Sequence, residues 1–239
     1  MKRSAAVLLA LIPLLGSCDA PWSDESDRTL TARDFPPADR PVAPTVSTKW
    51  STEEARDRVN EAEDVMDSAD VRPAMTVADI GAGDGYYTVR LAQRVGAGGR
   101  VLAQDIMPEV IERLADRVAR ERLDNVSLKL GAVDDPRLPA ASFDRVFMVH
   151  MYHEIGEPYA FLWRLRPALR KGGQVIVVDG DRPIADHGTP FRLLVCEFEA
   201  VGYKLVSYDD KQHAGGYLAR FVPSGKRPDP DAITVCDNP

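Results

Sequence analysis

The chain has no excess of basic residues: 30 lysines and arginines stand against 37 aspartates and glutamates, a formal charge of −7. That balance, with mixed-sign helical stretches such as Glu109 to Arg122, argues against a nucleic-acid surface, because a polyanion is held by a continuous basic face. Arg113, Arg117 and Arg120 are interleaved with acids and read as a solvated face. The apolar segment from Ala5 to Leu15 is too short for an ordinary transmembrane helix, which needs about 20 residues. Only 3 cysteines and 4 histidines are present, so thiol or imidazole chemistry is confined to a few positions. No internal repeat is evident, and 239 residues suit one domain plus a leader, with enough apolar content to bury a normal core.

The most telling stretch runs from Thr76 to Tyr86, where the apolar segment Val77-Ala78-Asp79-Ile80 gives way to Gly81-Ala82-Gly83-Asp84-Gly85. Met75 to Ile80 has the length and bulk of a buried parallel strand, and Val89, Leu91, Ala92 and Val95 then recur at helical spacing. A strand, a tight turn and a helix are predicted. Glycine suits such a turn because it tolerates positive φ and lets a ligand touch the backbone, and free N–H groups at the helix start are expected to face that ligand. Asp105 closes the next apolar run, Arg100 to Asp105, where an acid at a strand tip commonly binds a ribose diol. A dinucleotide site would need a small residue at Tyr86, so a nicotinamide oxidoreductase is the weaker reading.

In the form Asp-x-Gly-x-Gly-x-Gly, this segment resembles the first motif of the class I S-adenosylmethionine-dependent methyltransferases, and the resemblance extends from about Thr76 to Phe221. It implies an α/β fold: a Rossmann-like, seven-stranded, mostly parallel sheet with helices on both faces, order 3-2-1-4-5-7-6 and an antiparallel last strand. It also implies S-adenosylmethionine as cofactor, with Asp79, Gly81, Gly83 and Gly85 around its methionine part and Asp105 on its ribose. Leu138-Pro139 and Ser142-Phe143-Asp144 are similar to the family's entry into the fourth strand. Ala132 stands where relatives often place an adenine-binding acid, so Asp134 and Asp135 become the candidates, beside the plainer reading of a solvated Asp-Asp-Pro turn.

The fourth strand delivers His150-Met151-Tyr152-His153-Glu154 to the carboxyl end of the sheet, where open α/β folds bind ligands. The Asn/Asp-Pro-Pro-Tyr/Phe signature that relatives use for planar nitrogens is missing, which disfavours nucleobase and glutamine methylation. The block resembles segments of small-molecule methyltransferases. It implies His153 as a base for a hydroxyl or thiol acceptor, Tyr152 or Glu154 orienting it, and His150 facing the cofactor. A buried structural histidine is the competing reading for His153. His150, His153, Glu154 and His187 match no zinc spacing such as His-Glu-x-x-His, so no metal is expected.

Further on, the pattern predicts a helix from Glu157 to Leu169, a strand from Gln174 to Val178 ending at Asp179, and a helix capped by Thr189 with Pro190 in its first turn. Strands follow at Gly202 to Tyr208 and Gly216 to Val222. Upstream, Ala55, Val59, Ala62, Met66 and Ala69 share one stripe of a helix from Ser51 to Ala69, either a lid over the crevice, as relatives have, or a plain packing helix.

Lys2 and Arg3 before the apolar Ala5–Leu15 segment have the form of a secretory signal, and Leu15-Gly16-Ser17-Cys18 resembles a bacterial lipobox. The expected organisation is therefore a signal peptide and lipobox at 1–18, a flexible linker at 19–48, a methyltransferase domain at 49–223 and a tail at 224–239. A lipidated Cys18 would be the membrane contact of an exported periplasmic protein, and Asp19 favours inner-membrane retention in some bacteria. Export would allow Cys196 and Cys236 to pair, although Cys196 on a helix also reads as core. S-adenosylmethionine is made in the cytoplasm, so an exported domain also admits a second function, a lipid-anchored protein that binds such a ligand without turnover. The first remains methyl transfer to a small organic acceptor.

Overall fold

The computed structural model describes residues 28–45 and 51–237. Residues 1–27, with the signal segment, Cys18 and Asp19, lie outside that range. Among the described residues, no helix is long and apolar enough to cross a membrane.

Seven strands form one sheet: β1 (Thr76–Ile80), β2 (Arg100–Asp105), β3 (Val126–Leu130), β4 (Phe143–Val149), β5 (Leu169–Asp179), β6 (Tyr203–Lys211) and β7 (Gly216–Pro223). Their order is β3-β2-β1-β4-β5-β7-β6, the order that the family resemblance implies. β1 to β5 pair in parallel, and β7 runs antiparallel between β5 and β6. The chain reverses between β1 and β4, and the carboxyl ends there open the crevice in which doubly wound folds bind ligands.

Helices α1 (Glu53–Arg58), α2 (Glu61–Ser68), α3 (Tyr86–Val95), α4 (Pro108–Arg120), α5 (Pro158–Leu165) and α6 (Phe191–Ala200) complete the fold. The sheet's two faces carry separate cores. Val175 and Val177 of β5 join Ala78, Ile80 and the α5 and α6 side chains. Ile176 and Val178 join Val77 and the α2 and α3 side chains. This period-two alternation buries both faces and explains why the inner strands read as continuous apolar runs.

Several boundaries differ from the expectation. The single helix from Ser51 to Ala69 is two helices, because Asn60 takes a left-handed conformation (φ 55°) between them. The expected helix to Leu169 ends at Leu165 and tightens into a 3₁₀ turn before β5, which begins earlier than predicted. Thr189 does not cap α6; its hydroxyl donates to Asp179, and Asp181 accepts the Phe191 N–H instead.

Residues 28–45, expected within a tether, are packed on the domain. Ala32, Phe35 and Ala43 are buried, Arg28 pairs with Glu157, and Arg40 pairs with Glu197. The tail also closes on the body: Cys236 is disulfide-bonded to Cys196 of α6, and Ile233 is buried.

Candidate functional site

At the carboxyl ends of β1, β2 and β4 lies a cavity of about 900 Å³. Small-ligand sites span roughly 300–1,000 Å³, so this one has room for a cofactor and a second small molecule. Gly81, Gly83 and Asp105 form one part of its wall, His150, Met151 and Glu154 another, and residues 37–45 and 51–53 enclose it from outside. The stretch before α1, with Glu53 and Arg56, therefore walls the cavity as a lid would.

The glycine turn is shaped by a close fit. Gly81, Gly83 and Gly85 all have positive φ. A Cβ on Gly81 would lie 3.0 Å from Met151 Cγ, and one on Gly85 would meet Leu114 Cδ1 at 2.5 Å. Glycine is thus required by conformation at both positions and by space at Gly85. Three amides of the turn itself are already engaged. Ala82 N–H donates to the Gln104 carbonyl, Gly85 N–H to Ala82, and Gly83 N–H to Asp105 Oδ2.

Asp105 sits on the cavity wall, only 8% exposed. Its two oxygens accept from Gly83 N–H and Met107 N–H, both at 3.1 Å, which fixes the carboxylate while leaving lone pairs for a diol. Beside it, Gln104 lines the cavity with a buried Nε2 that has no hydrogen-bond partner. Sequence reading missed Gln104, because a polar residue one step before a strand tip carries no distinctive pattern.

Asp79 corrects the expectation. Strand alternation puts it on the same face as Val77, beneath α3, where it accepts the Thr88 hydroxyl at 2.6 Å and does not line the cavity. Burial pushes its carboxyl up to about 6. Asp134 and Asp135 are also off the wall, which is formed there by Ala132 and Val133. Asp134 is taken up by Arg164, Thr29 and Thr31, and Asp135 accepts the Arg137 N–H in its turn.

The fourth-strand block divides in two. His150, in a left-handed conformation (φ 54°), faces the cavity with its Nε2 3.6 Å from Glu61. Glu154 is also on the wall, whereas Tyr152 is fully buried and donates to Glu197 at 2.7 Å, so it does not orient His153. That role belongs to Asp179 at the end of β5, whose two oxygens each lie 3.0 Å from His153 Nδ1. His153 is 2% exposed and does not line the cavity. Contrary to the absence of a metal spacing, His153, Glu154 and His187 bring ligand atoms within 4.8 Å of one another.

Comparison with known proteins agrees with this architecture. A family model described as a methyltransferase domain matches residues 77–173. A ubiquinone/menaquinone biosynthesis C-methyltransferase from Bordetella avium is 32% identical over 174 residues, 71% of this chain and 63% of that one. A nocamycin O-methyltransferase from Saccharothrix syringae is 39% identical over 82 residues, 34% of this chain and 29% of that one. The chain spans about half or less of the length of several curated relatives it matches. Among solved structures, a SAM-dependent methyltransferase from Aquifex aeolicus shares the fold with a TM-score of 0.62 at 20% identity, over 72% of this chain and 97% of that one. The [4+2]-cyclase SpnF does so with a TM-score of 0.60 at 14% identity, over 79% and 100%.

Residues 77–173 match a methyltransferase-domain family, and the fold is that of the class I S-adenosylmethionine-dependent methyltransferases. The residues present fit that family's cofactor: a positive-φ glycine bend with Gly81 and Gly83 on the cavity wall, an acid fixed at the second strand tip, and an unpartnered amide on the same wall, whereas Gly85, expected beside them, packs against Leu114 and is off the wall.

Proposed function

We propose that the protein transfers a methyl group from S-adenosylmethionine to a small organic acceptor. The observation that carries this reading is the continuity of one cavity from the glycine bend and Asp105 to Met151 and Glu154, past the end of β4. The cofactor, when bound, supplies an electrophilic methyl group on a sulfonium. The protein's part is then alignment, since holding two reactants in line removes most of the entropic barrier. Asp105 and the bend fix one partner, and the Met151–Glu154 end receives the other. The apolar residues of segment 37–45 keep water from the space between them. Pro37, Val42 and Pro44 on the cavity wall favour a small apolar-bodied acceptor over a macromolecule. The signal-like leader supports an exported, lipid-anchored location, in which the cofactor would have to be supplied outside the cytoplasm.

Calorimetry of the purified full-length chain with S-adenosylmethionine, S-adenosylhomocysteine and NAD tests the site. Binding of the first two without the third is expected; NAD binding alone would overturn the reading. Release of S-adenosylhomocysteine in the presence of hydroxyl, thiol and amine acceptors then tests turnover. Binding without release from any of them would leave a ligand-binding protein in place of the enzyme.

A further inference from the structure

We propose that His153, Glu154 and His187 form a binding site for one divalent transition-metal ion, of the zinc type, beside the acceptor end of the cavity. Their ligand atoms lie within 4.8 Å of one another. Ligands about 2.1 Å from a tetrahedral ion sit roughly 3.4 Å apart, so modest side-chain rotation closes the set. The three come from two segments: the turn after β4 supplies His153 and Glu154, and the turn after β5 supplies His187.

Two observations besides proximity point to a ligand. First, the surroundings of His153 match the outer shell of metal-binding histidines, which donate their second ring nitrogen to a carboxylate. Asp179 receives His153 Nδ1, and is itself fixed by the Thr189 hydroxyl at 2.8 Å and the Gly180 N–H at 2.9 Å. With Asp179 an acceptor, the network assigns the proton to Nδ1, which leaves the Nε2 lone pair available to an ion. Second, His187 Nδ1 is buried and has no hydrogen-bond partner. A purely structural pair of histidines has no reason to leave that nitrogen unsatisfied, because an orphaned buried polar atom is costly. The two rings meet edge-on, with centroids 5.6 Å apart.

The donor chemistry narrows the ion. Two imidazoles and one carboxylate suit zinc and its neighbours, whereas magnesium and calcium prefer all-oxygen shells. Three protein ligands with a position left open are typical of ions that act on substrates. Glu154 belongs both to this set and to the cavity wall, so the ion would adjoin the acceptor space. An acceptor hydroxyl or thiol that coordinates it would lose its proton to solvent near neutral pH, the task the sequence had given to His153 as a base. That role rests on the methyl-transfer reading; the presence of the ion does not.

The test is zinc titration of the chelator-treated full-length chain by calorimetry, with the visible spectrum of the cobalt-substituted protein. One zinc per chain and a low-symmetry cobalt spectrum are expected. Disturbing the outer shell of a metal site costs about 10–100-fold in affinity, so loss of a ligand in His187→Ala or Glu154→Gln should cost about 100-fold or more. His213→Ala, which removes a histidine paired with Asp64 elsewhere, should change nothing. S-adenosylhomocysteine binding by each variant reports that the fold and cofactor cradle survive, separating failure here from failure of the methyltransferase reading. Absence of zinc binding, equal affinity in wild type, His187→Ala and Glu154→Gln, or dependence on His213 would each overturn the site.

Discussion

Arg40 Nε and Glu197 Oε1 meet at 2.7 Å with both side chains 1% exposed, a fully buried ion pair between the N-terminal segment and α6. The second oxygen of Glu197 accepts the Tyr152 hydroxyl, and Arg40 also donates to the Ile155 carbonyl. One pair thus ties the cavity's outer wall to the turn below β4. Removing one partner strands a buried charge, so Arg40→Ala should lower stability by about 3–5 kcal/mol. The double variant Arg40→Met with Glu197→Gln should recover most of that loss. Urea unfolding decides it, and equal losses in the two proteins would show that the stranded charge is not the cause.

Asp105 should matter for cofactor affinity beyond its effect on the loop. A hydrogen bond to a charged group contributes about 1.5–3 kcal/mol, so Asp105→Ala is expected to weaken S-adenosylhomocysteine binding by about 10- to 100-fold. The same change removes the acceptor of Gly83 N–H and Met107 N–H. Asp105→Asn keeps an acceptor oxygen and should fall between. Calorimetric affinities of the three proteins test this order, and unchanged binding in Asp105→Ala would remove Asp105 from the site.

Asp79 gives stability a dependence on acidity. Its carboxyl is raised by burial from 3.8 to about 6. The folded protein therefore holds this proton more tightly than the unfolded chain. The resulting stabilisation is complete below about pH 4 and is lost as pH rises through 6, by about 3 kcal/mol at most. Asp79→Asn cannot ionise and should abolish this component, leaving the variant more stable than wild type at pH 7. Unfolding free energies between pH 4 and 7 check the sign; parallel curves for the two proteins would refute it.

The Cys196–Cys236 disulfide closes a 40-residue loop through α6, β6 and β7. Loop-closure entropy puts its contribution at about 4 kcal/mol. Reduction, or Cys196→Ser with Cys236→Ser, should lower the melting temperature by several degrees and free the Cys236 amide from the Tyr159 hydroxyl, to which it donates at 2.7 Å. Identical melting with and without reductant would show that the bridge adds nothing.

The inner strands, the glycine bend and Asp105 could be read from the chain because each leaves a local mark, an apolar run, a glycine cluster or an acid at a strand tip, whereas the sheet order followed only from the family resemblance those marks carry. What stayed hidden depends on partners distant in sequence. Asp79 reads as a ligand until the pleat turns it under α3 to Thr88. Tyr152 and His153 are adjacent, yet Glu197 claims one and Asp179 the other, 45 and 26 residues away. Residues 28–45 read as a tether because isolated apolar residues such as Phe35 and Ala43 have no period. Their anchoring by Arg28 and Arg40 uses carboxylates more than 100 residues further along.

Arg28 is both the first described residue and part of the cavity wall. The described chain therefore begins at the cavity wall, where the Arg28 guanidinium is held by Glu157. The start of the described chain is thus part of the binding surface itself, so a change that frees Arg28 from Glu157 would alter the cavity as well as the packing of the N-terminal segment.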